Sequence, residues 1–216
     1  MIGFIQQMIN GLSIGSVYAL MAVGYSLVYS IMNFSNFAHG GVIMIGSYIG
    51  FFCISLLNFS FPVAFVTAAL GSGILAIIVE RVAYNPLRKR NAPFLYFIIS
   101  AMGASIFLEN IVVATIGPTF RTYPPVFSAT PIQIGGLTIG RLDVLMFVIS
   151  AISLSILVYI IEKTKIGLAI RATSYSSKGS TLMGVNVDKV IFTIFFFVFI
   201  LAGIAGVLFG MKYTVY

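Results

Sequence analysis

The sequence predicts an all-α, polytopic integral membrane protein with about six transmembrane helices. Of the 216 residues, 60% are apolar, which is roughly the number of positions that six spans of ~20 residues use. Charged residues make up only 8%, against ~25% in an ordinary soluble domain. No Asp, Glu, Lys or Arg occurs before Glu80, and a soluble fold cannot bury so long an uncharged stretch. Composition therefore excludes a soluble enzyme, a disordered tail and a nucleic-acid-binding protein.

Apolar runs separated by short polar turns place the individual spans. The first run has no basic residue ahead of it and is too long for a signal peptide, so we expect it to stay as a helix. Pro62 suits the first turn of the third helix. We expect residues 1–216 to form one transmembrane domain with a polar segment at 162–189. The predicted spans are about Ile5 to Ile31, Val42 to Leu57, Val63 to Val79, Phe94 to Ile116, Val144 to Ile161 and Val190 to Gly210.

The basic residues predict the orientation in the membrane. The loops at 80–93 and 162–189 fall on one side of a six-span chain and carry nine Lys and Arg residues, whereas the other side carries three. Cytoplasmic loops are enriched in Lys and Arg, so these two loops are cytoplasmic and the N-terminus lies outside. The same rule explains the net charge of +7 without a polyanionic partner; membrane lipid is the expected surrounding, and nucleic acid is not an expected ligand.

A polar break follows the first span and contains Asn33, Asn36, His39, Gly40 and Gly41. The first three are three residues apart and share a face if the break is helical, and the two glycines permit a sharp change of direction. The break is either a cytoplasmic turn capped by Asn side chains or a re-entrant, gating element. Non-helical backbone near a membrane persists only when it is buried in protein or lines a wet cavity. A lone His does not indicate a metal site.

Small residues are frequent in the first span, among them Gly11, Gly15 and Gly24. Small residues let helix backbones approach closely inside lipid. The spacing does not distinguish packing within this chain from packing against a second subunit.

Glu109 is the one carboxylate that lies clearly inside a predicted span, and Asn110 follows it. An ionisable group within a membrane is a functional candidate by default. The alternative is a protonated or hydrogen-bonded carboxyl inside the helix bundle.

The segment 162–189 is amphipathic and rich in small residues. Gly184 would end a short helix begun near Ala172, and Asp188 would place a negative charge at the start of the last helix. Such a segment suits docking of a cytoplasmic partner; a solvated loop is the alternative. The sequence contains no phosphate-binding loop and no catalytic constellation, so we expect a transport protein and not an enzyme. Energy would come from an ion gradient or a separate ATPase.

Several stretches resemble the high-affinity branched-chain amino acid ABC transporter permeases of bacteria, and also the related urea and short-amide permeases. The likeness covers essentially the whole chain. The matching stretches are Gln6 to Leu20, Asn33-Phe34 with Asn36-Phe37-Ala38-His39-Gly40, Met44 to Tyr48, Glu80 to Tyr84, Ser105 to Asn110, and Gly184 to Ile191.

This resemblance implies the permease fold of a type II ABC importer in the bacterial inner membrane. The implied partners are a second homologous permease, two cytoplasmic ATPase subunits and a periplasmic substrate-binding protein. No cofactor is expected on this chain, because ATP would bind the partner ATPases. The resemblance also implies an ATPase-coupling region that contains Arg171, Ala172, Tyr175, Ser176, Gly184 and Asp188.

The chain departs from the family pattern in three ways. Tyr175 and Ser176 stand where the family usually has an acidic pair, and Gly41 stands where it usually has a carboxylate. Family members also have about eight spans, so we expect the last spans to be missing here. The main hypothesis is a permease subunit for branched-chain amino acids or related small amides. The alternatives are an ion-coupled transporter or channel that uses Glu109, and a truncated fragment that transports nothing.

Overall fold

The computed structural model describes residues 2–119, 121–124, 132–134 and 137–213. Within these ranges six helices are long and apolar enough to cross a membrane, which confirms the predicted number of spans. The elements are α1 (Ile2–Met32), α2 (Ala38–Ser55), α3 (Phe61–Val79), a π-helix (Glu80–Tyr84), α4 (Asn85–Lys89), α5 (Phe94–Ile116), β1 (Ile132–Ile134), β2 (Leu137–Ile139), α6 (Arg141–Lys163), α7 (Lys165–Tyr175), α8 (Ser177–Leu182) and α9 (Val187–Lys212).

Helix α9 is the centre of the bundle and packs against α1, α2 and α3. Small residues make this packing close. A Cβ on Gly46 would lie 2.9 Å from the Gly203 Cα and 2.5 Å from the Ser72 Oγ, so α2, α3 and α9 meet at one point. Lipid provides no hydrophobic force between helices, and association therefore depends on such close contact of backbones.

The outer face of α1 is left unpacked within the chain. A Cβ added at Gly11 or Gly15 would meet no atom within 4 Å, whereas one at Gly24 would lie 3.2 Å from the Val198 side chain. Gly24 therefore packs within this chain, whereas Gly11 and Gly15 lie on its surface. The surface positions leave packing against a second subunit possible.

The third span is longer than predicted, because the segment expected as a loop from residue 80 is helical to Lys89. Pro86 lacks a backbone N–H, and its ring clashes with the carbonyl four residues earlier in a regular helix. A wider helical turn relieves this clash, because the Asn85 N–H donates to the Glu80 carbonyl five residues earlier. The predicted loop at 80–93 was therefore wrong for residues 80–89, since a π-helix accommodates Pro86.

The segment between α6 and α9 forms two short helices where one was predicted. Thr164, Ser176 and Asn186 each accept a hydrogen bond from the backbone N–H three residues later, at 3.0–3.1 Å, and so begin α7, α8 and α9. Such side-chain caps satisfy N–H groups that have no partner in the helix. Ala172 lies inside α7 and does not begin a helix. Gly184 follows α8 with φ of 80°, as expected for a residue that ends a helix.

Two groups of contacts define the ends of the bundle. At one end, called here the hairpin end, Gln6 donates to the Thr138 carbonyl at 2.7 Å and so holds strand β2, which pairs antiparallel with β1. At the other, called the basic end, Arg88 pairs with Asp188. The two loops that were predicted to be cytoplasmic are therefore neighbours at the basic end.

Candidate functional site

The break between α1 and α2 reverses the chain at Asn33. Its backbone is left-handed, with φ of 54°, and its N–H donates to the Tyr29 carbonyl at 2.8 Å. Asn tolerates this conformation at the end of a helix. The sequence predicts that Gly40 and Gly41 make the turn. This prediction was wrong, because α2 already begins at Ala38. Since residues 33–37 are not helical, Asn33, Asn36 and His39 also do not share a helix face.

The break is partly buried: Asn33 and Phe37 are exposed, whereas two other residues of the break lie in the core. Phe34 is 1% exposed and Asn36 is 2% exposed. The Tyr84 hydroxyl donates to the Asn36 Oδ1 at 2.6 Å, and the Phe34 ring packs edge-on against the Tyr84 ring at 5.2 Å. Irregular backbone within a membrane protein is tolerated where protein covers it. The break is thus a turn that the bundle covers in part, and its role as a gating element stays a prediction.

His39 is buried at the start of α2, 5.9 Å from the ring of Tyr25 and 5.0 Å from the ring of Phe199. The Asn36 Nδ2 has no hydrogen-bond partner among the described residues, and the His39 ring faces the Met21 backbone. Among the same residues no group of His, Cys, Asp and Glu could hold a metal ion. Unsatisfied buried polar groups cost free energy, so this arrangement would be relieved by any rearrangement that brings the break a new partner.

Helix α5 packs beside the first turn of α2. A Cβ on Gly41 would lie 3.2 Å from the Leu108 Cβ and 3.8 Å from the Ser105 Cα. Gly41 therefore lets α5 approach closely, and a side chain at this position would require Leu108 to shift by a few tenths of an ångström.

Glu109 lies on the exposed surface of α5, one turn after Ser105. The Ser105 hydroxyl donates to the Glu109 Oε1 at 2.9 Å. The carboxyl is thus hydrogen-bonded, as one alternative expected, but it lies on the surface of this chain and not inside its bundle. Asn110 is also exposed, and its Nδ2 donates to the Ile106 carbonyl of its own helix at 2.7 Å.

An ion-pair network at the basic end was not predicted. Arg88 Nη2 lies 2.9 Å from Glu80 Oε1 and 2.8 Å from Asp188 Oδ1. Glu80 is only 2% exposed, although the sequence predicts a cytoplasmic loop that begins at residue 80. Its burial follows from the π-helix, which keeps residue 80 within the third span.

A second unpredicted cluster lies at the hairpin end. Asp143 Oδ1 accepts from the Ser13 hydroxyl at 3.0 Å and pairs with Lys212 Nζ at 2.6 Å. One carboxylate in the first turn of α6 therefore connects α1 with the end of α9.

The predicted coupling residues are spread along the basic end. Arg171 and Ala172 are exposed on α7, Ser176 caps α8, Gly184 follows it, and Asp188 lies in the first turn of α9. Tyr175 is 95% exposed, and Leu182 and Met183 are almost as exposed. The segment is not free of the bundle, because the Ser174 hydroxyl donates to the Ser30 carbonyl of α1 at 2.7 Å.

Comparison with known proteins identifies the family. Residues 7–216 match the family described as branched-chain amino acid transport system / permease component. The chain belongs to this family of permeases. It is 37% identical to the high-affinity branched-chain amino acid transport system permease protein BraD of Pseudomonas aeruginosa, and 38% and 36% identical to the LivH proteins of Salmonella typhimurium and Escherichia coli K12. Each comparison covers 98% of this chain and 72% of the relative. No solved structure shows a significant match.

Membership confirms the resemblance seen in the sequence. The permease is a multi-pass membrane subunit of an ABC importer system and not an enzyme, and such a subunit works with an ATPase and a substrate-binding protein. The comparisons give no support to an ion-coupled transporter or to a fragment without transport function. The roles of the individual site residues stay predictions.

Proposed function

We propose that the permease forms one half of the translocation pathway of an ATP-driven, binding-protein-dependent importer for branched-chain amino acids. A second homologous permease supplies the other half. Two cytoplasmic ATPase subunits bind the ATP, and a periplasmic protein delivers the substrate. This assignment of the substrate rests on the relatives, whose names specify branched-chain amino acid transport.

The observation that carries the pathway assignment is the exposed carboxylate of Glu109. A charged side chain facing lipid near the bilayer centre costs about 2.5–3.5 kcal/mol on insertion scales. A wet pathway or a partner subunit must therefore cover this face of α5. Every α-amino acid carries an ammonium group, and a carboxylate beside the pathway would attract it. A Cβ on Gly41 would lie 3.8 Å from the Ser105 Cα, and this short distance supports our assignment of the surface around Glu109 to the neighbourhood of the break.

The basic end supplies the coupling to the ATPase. We place it in the cytoplasm, with the N-terminus outside, because the Lys and Arg residues concentrate in its loops. Tyr175, Leu182 and Met183 present large apolar side chains to solvent there. Exposed apolar groups of this kind mark protein interaction surfaces, and we assign them to the contact with the ATPase.

The function is tested in liposomes that contain the permease, its partner permease and the ATPase, with the binding protein outside. Labelled leucine should enter only when ATP is present on the ATPase side, and unlabelled isoleucine and valine should compete where urea does not. Glu109→Gln should lower uptake at least tenfold. Thr115→Val is the matched control, because the Thr115 hydroxyl bonds to its own helix at the Ile111 carbonyl. Uptake by the permease alone without ATP would overturn the proposal.

A further inference from the structure

We propose that Asp188, Arg88, Glu80 and Tyr84 form a mechanical relay that transmits movement of the coupling segment to the buried break between α1 and α2. The proposal rests on the proposed function and adds positioning residues that act without touching the substrate. It follows from short side-chain contacts at the basic end and at Asn36, which the π-helix from Glu80 to Tyr84 connects through its backbone.

The first contact joins the coupling segment to the end of the third span. Asp188 belongs to the first turn of α9, directly after the segment that we assign to the ATPase contact. The Arg88 Nε donates to the Asp188 Oδ1 at 3.0 Å, and the Arg88 Nη2 lies 2.8 Å from the same oxygen. A displacement of the start of α9 would therefore also displace the Arg88 side chain.

The second contact passes the displacement to the π-helix. The Glu80 side chain, 3% exposed, lies 2.9 Å from the Arg88 Nη2. Separating a buried carboxylate from its cation leaves an uncompensated charge, so Glu80 has to follow Arg88. Glu80 is also the first residue of the π-helix, and single π-turns inside α-helices occur frequently at functional sites.

The third contact reaches the break. Tyr84 ends the π-helix, and its hydroxyl donates to the Asn36 Oδ1 at 2.6 Å. The Tyr84 ring is held between Phe34 at 5.2 Å and Phe195 at 5.8 Å. A change of register in the π-helix would rotate Tyr84 and move Asn36, two residues before the first residue of α2.

The structure leaves room for such movement. A cavity of about 500 Å³ lies beside the ion pairs and is lined by Glu80, Arg81, Asp188 and Phe192, among others. The Arg81 guanidinium lies 5.7 Å from the centre of the Phe192 ring. Asp188 and Glu80 border this space, so their side chains can shift into it without displacing a packed side chain.

The test measures leucine taken up per ATP hydrolysed in the complete reconstituted complex. Tyr84→Phe removes only the hydroxyl that reaches Asn36. It should keep the ATPase rate and lower uptake per ATP about fivefold or more, the lower range of typical coupling between sites. Tyr123→Phe is the matched control, because the buried Tyr123 hydroxyl makes a 2.6 Å bond to the Ser47 carbonyl outside the relay. Equal uptake per ATP in the two variants would overturn the relay.

The role of Asp188 is tested by comparing a substitution that removes its charge with one that keeps it. Asp188→Asn should uncouple hydrolysis from uptake, and Asp188→Glu should restore coupling because it keeps the charge beside Arg88. The double variant of Tyr84→Phe with Asp188→Asn should lose no more than the more impaired single variant, because residues of one relay are not additive. Fully multiplied losses would show two independent effects and overturn the relay.

A second readout does not depend on the substrate. Gly40→Cys, in a chain whose Cys53 is replaced by Ser, introduces a thiol at an exposed position where a Cβ meets no atom within 4 Å. Its labelling by a maleimide should change on addition of ATP, and Tyr84→Phe should abolish that change but Tyr123→Phe should not. A labelling change that survives Tyr84→Phe, or none in the parent complex, overturns the relay. If the parent complex shows the change but no ATP-dependent leucine uptake, the proposed function fails and the relay stands.

Discussion

The meeting point of α2, α3 and α9 gives a prediction whose size follows from the structure. A Cβ on Gly203 would lie 2.8 Å from the Ala68 carbonyl oxygen and 2.5 Å from the Ser72 Oγ, whereas ordinary contact begins at 3.4 Å. The Ala68 carbonyl belongs to the α3 backbone and cannot rotate away. Gly203→Ala therefore forces α3 and α9 apart by about 0.6 Å along this contact.

The cost of Gly203→Ala is best measured against Gly15→Ala. Overpacking of a close-packed interior costs about 1–3 kcal/mol. Alanine also favours the helix by up to about 1 kcal/mol over glycine, but both variants share this gain, and a Cβ on Gly15 meets no atom within 4 Å. Their difference therefore isolates the packing cost.

The assay is thermal unfolding of the purified subunit in detergent, followed by the loss of the monodisperse peak in size-exclusion chromatography. Each kcal/mol shifts the midpoint by about 2–4 °C in a chain of this size. We expect Gly203→Ala to unfold about 2–12 °C below Gly15→Ala. Equal midpoints would refute the close contact of α3 and α9, and with it the placement of α9 at the centre of the bundle.

Three further predictions concern the two ends of the bundle. Asp143→Asn should destabilise the subunit by about 1–3 kcal/mol, because Lys212 loses its ion-pair partner; adding Lys212→Met should recover part of the loss, and no recovery would contradict the pairing. Gly184→Ala should weaken ATPase binding in a pull-down and cost about 1 kcal/mol, because alanine disfavours the φ of 80° that Gly184 adopts; an unaffected complex would contradict a fixed turn. Replacing Leu182 and Met183 together with Ser should weaken ATPase binding without changing the thermal midpoint, because both side chains are exposed; a lower midpoint would place them in the core.

The spans were predictable because lipid leaves the backbone few choices. A long apolar run within a membrane has to satisfy every N–H and C=O internally, and a helix does so with local contacts alone. The predicted fourth span, Phe94 to Ile116, coincides with α5 for this reason. The ends of α6 and α9 extend past their apolar runs to Arg141, Lys163 and Lys212, since a helix continues into the polar interface.

The π-helix was not predictable, because its cause is not local. Asn85-Pro86 marks a loop in most sequences, and nothing in the neighbouring residues indicates otherwise. The helix continues through this dipeptide because Tyr84 is held in the core by Phe34 and Phe195 and because Arg88 is held by Glu80. The two contacts of Tyr84 come from a break 50 residues earlier and a helix 111 residues later in the chain, and a periodicity analysis detects neither of them.

The break illustrates the same limit at the candidate site. Its Asn, Ser and Gly residues suit a solvated turn and a buried element equally well, so the sequence left both open. The decision comes from Tyr84, which lies 48 residues away from Asn36. Tertiary contacts of this kind determine whether a polar segment faces water or protein.

Glu109 differs from the other acidic residues of the chain in its contacts. The chain has five Asp and Glu residues, and all five lie in the described ranges. Glu80 and Asp188 share Arg88, and Asp143 pairs with Lys212. Glu162 lies in the last turn of α6, at the basic end of its span. Only Glu109 stands well inside a span and without an ion pair among the described residues, and this supports our proposal that a partner subunit or the translocation pathway covers this face of α5.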